Sequence, residues 1–192
     1  SYDILILATG ARAIKLPVPG ADLKGLLELR TAADAEALKA TLGPGKRLAI
    51  VGGGYIGLEA AASARALGAE AVVLEREPRL LARVACETLS TFFQTRHEAH
   101  GVKFELGASV VGFEGRDGHV TGVKLADGRT IACDAALIGV GAAPNDEIAK
   151  DAGLDCARGI VVDLEARTSD PSIFAIGDVA HRPMPIYDRM FR

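Results

Sequence analysis

The fold is decided by the stretch LAIVGGGYIG, residues 48–57. Its first four residues form an apolar run that predicts a buried strand, and the G-x-G-x-x-G that follows is typical of a strand turning into a helix. Gly52 makes the tight turn, Gly54 lets the main chain approach a pyrophosphate, and Gly57 lets helix and strand pack closely. The free N–H groups at the start of the helix would then face the anion. This stretch therefore predicts a dinucleotide-binding loop.

An acidic residue after the next strand supports this interpretation. The helix is predicted over 54–67, and a strand over 71–74 ends at Glu75. Glu75 follows Gly52 at close to the ~20-residue offset expected of a carboxylate that accepts the ribose hydroxyls of NAD. Its charge favours NADH over NADPH, although the neighbouring Arg76 could pair with a 2′-phosphate. The bare alternative is that the glycines serve only a tight turn and Glu75 is a solvated strand end.

The remaining pattern predicts an α/β fold in which a parallel sheet carries an antiparallel β-meander. Apolar runs and helical spacing predict further strands over 4–7, 102–106, 135–140, 160–162 and 173–176 and helices over 31–42, 86–100 and 146–152. Residues 110–131 alternate between apolar and polar side chains, and Asp117-Gly118 and Asp127-Gly128 are strong hairpin signals. The meander is therefore expected as an insertion between parallel strands.

Composition excludes several classes of function. The 22 basic and 25 acidic residues are interspersed and give a net charge of −3, which disfavours nucleic acid as a partner. The longest apolar run, Ala135–Ala143, is far shorter than the ~20 residues of a membrane-spanning helix. The three cysteines are an odd number without close spacing, which indicates a reduced, cytoplasmic compartment. We predict neither a membrane partner nor a metal site.

Three further segments accompany the glycine motif: Ala8–Gly10, Gly139–Asn145 and Asp170–Asp178. The last contains an apolar strand that ends in Gly177-Asp178, where a carboxylate is well placed to accept a ligand hydroxyl, although an aspartate there could equally cap a helix. In this order the segments resemble those of the two-dinucleotide flavoprotein disulfide-reductase superfamily. The resemblance covers essentially the whole chain.

In that superfamily an NAD-binding domain is inserted into an FAD-binding domain. The resemblance implies that residues 1–30 and 141–192 belong to the FAD-binding domain and residues 31–140 form the Rossmann-like NAD-binding domain. The superfamily's N-terminal FAD fingerprint and C-terminal interface domain have no counterpart in these 192 residues. We therefore expect the chain to be an internal segment of a longer protein, and not to hold FAD tightly by itself.

Within the superfamily, residues 74–84 and Asp178-Val179-Ala180 resemble those of FAD-dependent ferredoxin and rubredoxin reductases of the putidaredoxin-reductase type. This resemblance implies hydride transfer from NADH to FAD, followed by transfer of single electrons to a ferredoxin-type iron–sulfur protein that serves an oxygenase. The residues implied at the cofactors are Gly10, Arg12, Gly52, Gly54, Tyr55, Ile56, Gly57, Glu59, Glu75, Arg83, Gly141 and Asp178.

The resemblance also implies roles for several of these residues. Ile56 and Glu59 would lie against the nicotinamide, and Arg83 would lie near the adenosine. Arg12 would reach the FAD, and Asp178 would contact the ribityl chain of the flavin. Simpler interpretations stay open, because Glu59 could merely stabilise the helix dipole and the two arginines could be surface cations.

Other activities remain as alternatives. An NAD(P)H-dependent flavoprotein reductase with a disulfide or oxygen acceptor is one, and a non-catalytic NAD-binding module is another. The chain has no C-x-x-C pair, which argues against a low-molecular-weight thioredoxin reductase, and no Tyr-x-x-x-Lys, which argues against a short-chain dehydrogenase. Hydride transfer to a flavin needs no side-chain acid or nucleophile, so we predict no catalytic residue.

Overall fold

The computed structural model describes residues 2–191. The α-helices among them are α1 (Ala32–Thr41), α2 (Tyr55–Ala66), α3 (Glu87–Glu98) and α4 (Glu147–Asp151). The strands are β1 (Leu5–Leu7), β2 (Ala11–Ala13), β3 (Leu26–Leu27), β4 (Arg47–Val51), β5 (Glu70–Glu75), β6 (Val102–Leu106), β7 (Val110–Arg116), β8 (His119–Leu125), β9 (Thr130–Ala132), β10 (Ala135–Ile138), β11 (Ala142–Pro144), β12 (Ile160–Val161), β13 (Ile173–Ala175), β14 (Ala180–Met184) and β15 (Arg189–Phe191). No helix within 2–191 has the length and apolar character needed to cross a membrane.

Every helix and strand predicted from the sequence is present, with bounds that differ by only a few residues. Five short strands were not predicted: β2, β3, β11, β14 and β15. They contain two to five residues each, and none carries the apolar run or the sustained alternation on which strand prediction depends. Main-chain pairing to neighbouring strands forms them, and the sequence of a single segment does not show that pairing.

The contacts of the chain divide it into two compact units. One unit consists of the residues up to Arg12 together with those from Ala142 onward, and the other is Ala13–Gly141. The first division therefore falls earlier than the boundary at residue 30 expected from the resemblance. Residues 13–30 lie in the second unit because β3 pairs with β10 and because Pro19 bonds to the meander through its carbonyl. The assignment of cofactors to these units stays a prediction.

The second unit is built on a five-stranded sheet in the order β3-β10-β4-β5-β6, in which every pair is parallel. Successive residues of β4 face opposite sides, as expected of a strand that is buried on both faces. Leu48 and Ile50 join a core with the alanines of α2, whereas Ala49 and Val51 join a core with the meander. The sheet is therefore a covered layer, and its strand ends are where ligands can approach.

The antiparallel meander consists of β7, β8 and β9, as the turn signals predicted. Asp117 and Gly118 connect the first two strands with φ angles of 52° and 75°. Two consecutive positive φ angles are the signature of a type I′ turn, whose twist matches that of the flanking strands. The buried side chains Phe113 and Val123 face the parallel sheet and close its second face.

The first unit has a core of its own, in which Leu7, Ile160, Ile173 and Val179 are buried. Strand β1 pairs in parallel with β13, with Leu7 opposite Ala175. Strand β14 pairs in parallel with β12 and antiparallel with β15. The parallel pair is important for the candidate site, because the carboxyl ends of both strands lie at the same edge.

Candidate nucleotide-binding site

The glycine motif lies where the order of the parallel sheet reverses. Strands β5 and β6 follow β4 in sequence and lie on one side of it in the sheet. Strand β10 comes later in the sequence and lies on the other side of β4. Gly52 follows β4 and Gly139 follows β10, and the N–H of Gly139 donates to the carbonyl oxygen of Val51 at 2.8 Å. In open α/β sheets, ligands bind at the carboxyl ends of the strands beside such a reversal. The motif therefore lies where this fold binds ligands.

The three motif glycines have different structural roles. Gly52 has a φ of +111°, and a Cβ atom there would overlap the carbonyl oxygen of Gly139. A Cβ on Gly57 would overlap the carbonyl oxygen of Gly52 and lie 3.3 Å from Cγ2 of Ile50. A Cβ on Gly54 would meet nothing within 4 Å. The protein's own packing thus requires the first and last glycines, whereas the space beside Gly54 is open, as a bound pyrophosphate needs.

The first turn of α2 is suited to an anion. Gly54 is its N-cap and provides no side-chain hydrogen bond to the helix, so the first N–H groups have no intrahelical acceptor. Those N–H groups and the positive end of the helix dipole favour a phosphate. Tyr55 and Ile56 are about half exposed in this turn, and Glu59 is exposed one turn later. These predicted side chains therefore lie at the open end of the helix.

The carboxylate of Glu75 is held in place by two main-chain donors. Its Oε2 accepts a hydrogen bond of 2.6 Å from the N–H of Gly53, and its Oε1 accepts one of 2.8 Å from the N–H of Glu77. Each carboxylate oxygen can accept a further bond. The charge predicted to contact the ribose is therefore fixed beside the glycine loop at the end of β5.

Two cations follow Glu75 along the chain. Arg76 is mostly exposed and pairs loosely with Glu77, at 3.4 Å. Arg83 is exposed in the segment that leads to α3. Exposure leaves both side chains available to a ligand.

The residues predicted at FAD lie mainly in the other unit, where sequence analysis missed a network of polar contacts. Thr9 Oγ1 donates to the carbonyl of Asn145 at 2.6 Å, and Asn145 Nδ2 donates back to the carbonyl of Thr9 at 2.9 Å. Arg12 donates to Asn145 Oδ1 at 2.9 Å and forms an ion pair of 2.6 Å with Glu147. The sequence offered one signal for this network. Thr9 and Asn145 lie in Ala8–Gly10 and Gly139–Asn145, two of the segments that carry the resemblance.

Gly10 and Asp178 emerge at one edge of the first unit. Gly10 follows β1 with a φ of +68°, and Asp178 is an exposed residue of the short 3₁₀ helix Gly177–Val179 that follows β13. The N–H of Ile176 donates to the carbonyl of Leu7 at 3.0 Å, which joins the two strand ends. Gly141, the remaining predicted residue, ends the other unit with a φ of +126°, and its carbonyl accepts a bond of 3.1 Å from Ile14 N–H.

A parallel sheet with a glycine loop at its reversal point, and an acid at the end of the next strand, defines a dinucleotide-binding protein of the Rossmann type. Residues 1–189 match the pyridine nucleotide-disulphide oxidoreductase family. The chain belongs to this family, which confirms the superfamily and the fold class that the sequence segments indicated.

Three similar proteins give a more specific comparison. The chain is 55% identical over 192 residues to a probable ferredoxin reductase of Castellaniella defragrans, and the match covers 100% of this chain and 47% of that protein. It is similar to the crystal structure of the ferredoxin reductase for the CYP199A2 system of Rhodopseudomonas palustris, with a TM-score of 0.96, 43% identity and coverage of 100% and 48%. It is also similar to a covalent putidaredoxin reductase–putidaredoxin complex, with a TM-score of 0.95, 39% identity and coverage of 100% and 47%. The chain spans about half the length of the curated relatives it matches.

Proposed function

We propose that the whole protein is an FAD-dependent oxidoreductase that takes hydride from NADH and passes electrons to a ferredoxin-type iron–sulfur protein for an oxygenase. The observation that carries this proposal is the fixed carboxylate of Glu75 beside an open glycine loop. The chain belongs to the pyridine nucleotide-disulphide oxidoreductase family and is similar to a probable ferredoxin reductase. FAD, when bound, supplies the conversion between two-electron and one-electron chemistry. The protein's task is to bind and orient the donor.

The unit Ala13–Gly141 would bind NADH. Its loop from Gly52 to Gly57 offers main-chain N–H groups and open space for the pyrophosphate, and Glu75 would accept the adenosine ribose hydroxyls. Ile56 and Glu59 would lie against the nicotinamide, Arg83 would lie near the adenosine, and Tyr55 would be a further contact of the nucleotide. These roles follow from the resemblance, and the exposure of the four side chains supports them.

The choice of NADH over NADPH rests on charge. A 2′-phosphate would lie against the carboxylate of Glu75, whose position beside Gly53 is set by a hydrogen bond of 2.6 Å. A phosphate and a carboxylate in contact repel each other strongly when they are partly shielded from water. Arg76 is the available counter-charge for NADPH, and its nearest acidic partner is Glu77. We propose NADH as the donor, because the acid is held beside the loop whereas the cation is exposed to solvent.

FAD would be held in part by the first unit. Asp178 and Gly10 lie at the edge where β1 and β13 end, which is the expected side of a parallel pair for a ligand. Arg12 is anchored by Asn145 and Glu147, so its guanidinium has a defined position from which to reach a cofactor. These residues of the first unit fit a contribution to the FAD site, and Gly141 is proposed as a cofactor contact on the resemblance alone.

The electron acceptor and the compartment are proposed on separate grounds. Ferredoxin and putidaredoxin appear in the names of similar proteins, which favours an iron–sulfur protein as the acceptor. Cys86, Cys133 and Cys156 are all free thiols, which fits a reducing compartment, and we propose the cytoplasm.

Anaerobic stopped-flow spectroscopy of the full-length flavoprotein tests the function. We expect NADH to bleach the flavin absorbance rapidly, and the reduced protein then to reduce a ferredoxin-type [2Fe–2S] protein. A flavin that NADH does not bleach contradicts the proposal and favours a non-catalytic module. If the bleached flavin is reoxidised faster by a disulfide or by oxygen than by the iron–sulfur protein, the result favours a reductase that uses one of those acceptors.

A further inference from the structure

The segment between β5 and α3, residues 76–86, packs against the glycine loop. Leu80 is fully buried, and its Cδ2 lies 2.8 Å from the position that a Cβ of Gly53 would occupy. The N–H of Leu81 donates to the carbonyl oxygen of Gly53 at 3.1 Å. Because Glu75 accepts from the N–H of the same glycine, both main-chain polar groups of Gly53 are held by other parts of the unit. The position of Gly53 thus depends on Leu80 and Leu81.

Leu81 has a backbone conformation that must be imposed on it. Its φ is +54°, in the left-handed region that leucine rarely adopts, and its side chain is 3% exposed. Such a residue keeps its conformation only where the surrounding contacts determine it. The N–H groups of Val84 and Ala85 both donate to the carbonyl of Leu81, at 2.9 Å each, and this closes a tight turn around it.

Arg79 and Ser90 supply the remaining contacts of this turn. Arg79 donates to the carbonyl of Ala82 at 3.0 Å, to the carbonyl of Ala85 at 2.8 Å and to Ser90 Oγ at 2.7 Å. Ser90 is 2% exposed on α3, and its hydroxyl donates to the carbonyl of Leu80. One arginine and one buried hydroxyl therefore tie both sides of the turn to a helix.

We propose that Arg79 and Ser90 are positioning residues for the nucleotide: they hold Leu80 and Leu81 in the conformation that fixes Gly53, and so preorganise the loop that receives the pyrophosphate. This inference rests on the proposed binding of NADH at the loop. Neither residue needs to touch the nucleotide. A binding loop whose shape is set before the ligand arrives loses less entropy on binding.

The test uses Ser90→Ala and Arg79→Lys in the full-length flavoprotein. The first removes the buried hydroxyl, and the second keeps the charge but loses the planar fork that makes three bonds. We expect the Kd for NADH to rise about tenfold, as for loss of one or two buried hydrogen bonds, while the rate of flavin reduction at saturating NADH stays unchanged. In the absence of nucleotide, we also expect the Leu81 amide hydrogen to exchange faster in both variants than in the parent protein. Thr91→Ala, which removes an exposed hydroxyl from the same helix, is the matched control and should change neither quantity.

Each failure has its own signature. If the parent protein binds no NADH, the proposed function is overturned, and the amide exchange alone decides whether Arg79 and Ser90 hold Leu80 and Leu81 in place. An unchanged Leu81 exchange rate in the variants overturns the positioning role. A lower melting temperature with an unchanged Kd for NADH shows a purely structural role and also overturns it. If Ser90→Ala does not fold, Arg79→Lys decides, because it preserves the charge and most of the volume of the side chain.

Discussion

The carboxylate of Glu75 and the N–H of Gly53 are joined by a hydrogen bond of 2.6 Å, so the acid at the end of one strand holds the middle of the glycine loop that follows its neighbour. The bond places a negative charge permanently beside the loop. A carboxylate that is already positioned needs no rearrangement to accept a ribose hydroxyl. The same bond makes the geometry of the loop depend on one acidic side chain, which under the proposed function also selects the nucleotide.

We expect Glu75→Ala to weaken NADH binding more than NADPH binding. Loss of a hydrogen bond to a charged acceptor should raise the Kd for NADH by about 10- to 100-fold, whereas NADPH loses a repulsive neighbour at the same time. Titration of the full-length protein with each nucleotide measures the two constants. Glu70→Ala removes an exposed acid at the start of the same strand and should alter neither. Equal losses for the two nucleotides would show that Glu75 supports the loop without discriminating between them.

Two glycine substitutions should separate ligand binding from packing. Gly54→Ala adds a methyl group where nothing lies within 4 Å, so the free energy of unfolding should stay within about 0.5 kcal/mol of the parent value while NADH affinity falls. Gly57→Ala drives its methyl group into the carbonyl of Gly52 and should cost about 1–3 kcal/mol of stability. Urea unfolding and NADH titration of both variants provide the test. A destabilised Gly54→Ala variant with intact NADH affinity would contradict the assignment of that open space to a ligand.

The cysteines should differ sharply in reactivity. Burial raises the pKa of the Cys133 thiol to about 11, so only about 0.1% of it is thiolate at pH 8. Cys86 is exposed at the start of α3. We expect iodoacetamide at pH 8 to alkylate Cys86 first and Cys133 only after unfolding in urea, as followed by peptide mass spectrometry. Modification of Cys133 in the native protein at the same rate as Cys86 would contradict the packing of the meander against the sheet.

The ion pair between Arg47 and Asp134 should make the stability of the protein depend on pH in the acidic range. The side-chain hydrogen bond from Arg47 lowers the pKa of Asp134 below its usual value of 3.8. Because the folded-state pKa is lowered, the pair contributes stability that is fully present above the unfolded-state pKa of 3.8 and is lost as the pH falls through the folded-state pKa. Both side chains are partly exposed, so Asp134→Asn should cost about 1 kcal/mol at pH 7.

The cost of Asp134→Asn should begin to shrink as the pH falls below about 4, where Asp134 of the unfolded chain binds a proton, and should vanish below the lowered pKa of the folded carboxyl. Urea unfolding of the parent and the variant at pH 7 and pH 3 measures this difference. Asp22→Asn, an exposed acid of the same unit, is the control and should show no such convergence. A difference that stays constant between the two pH values would mean that the pair contributes through shape alone.

Local pattern was enough to predict much of this chain. The apolar run Leu48–Val51, the three motif glycines and the Asp-Gly turns each depend on neighbours within a few residues, so their signals are contained in short windows. The predicted helices and longer strands are accordingly present. The short strands escaped prediction, because they depend on pairing with segments far along the chain.

The candidate site divides in the same way. Sequence spacing predicted Glu75 as the acid for the ribose, since the length of a βαβ unit sets its distance from the motif, whereas its hydrogen bond to Gly53 was visible only in the structure. The anchoring of Arg12 by Asn145 and Glu147, and the turn held by Arg79 and Ser90, were not visible in the sequence. Arg12 and Asn145 are separated by 133 positions, and a hydrogen bond across that distance leaves no local pattern.

By itself, therefore, the amino-acid sequence determined the α/β class, the glycine loop and its acid, because repeating backbone geometry translates directly into residue spacing. The tertiary structure alone decided which polar groups hold that loop in shape and where the two units divide. Those outcomes depend on which distant side chains meet when the sheet, helices and meander pack together.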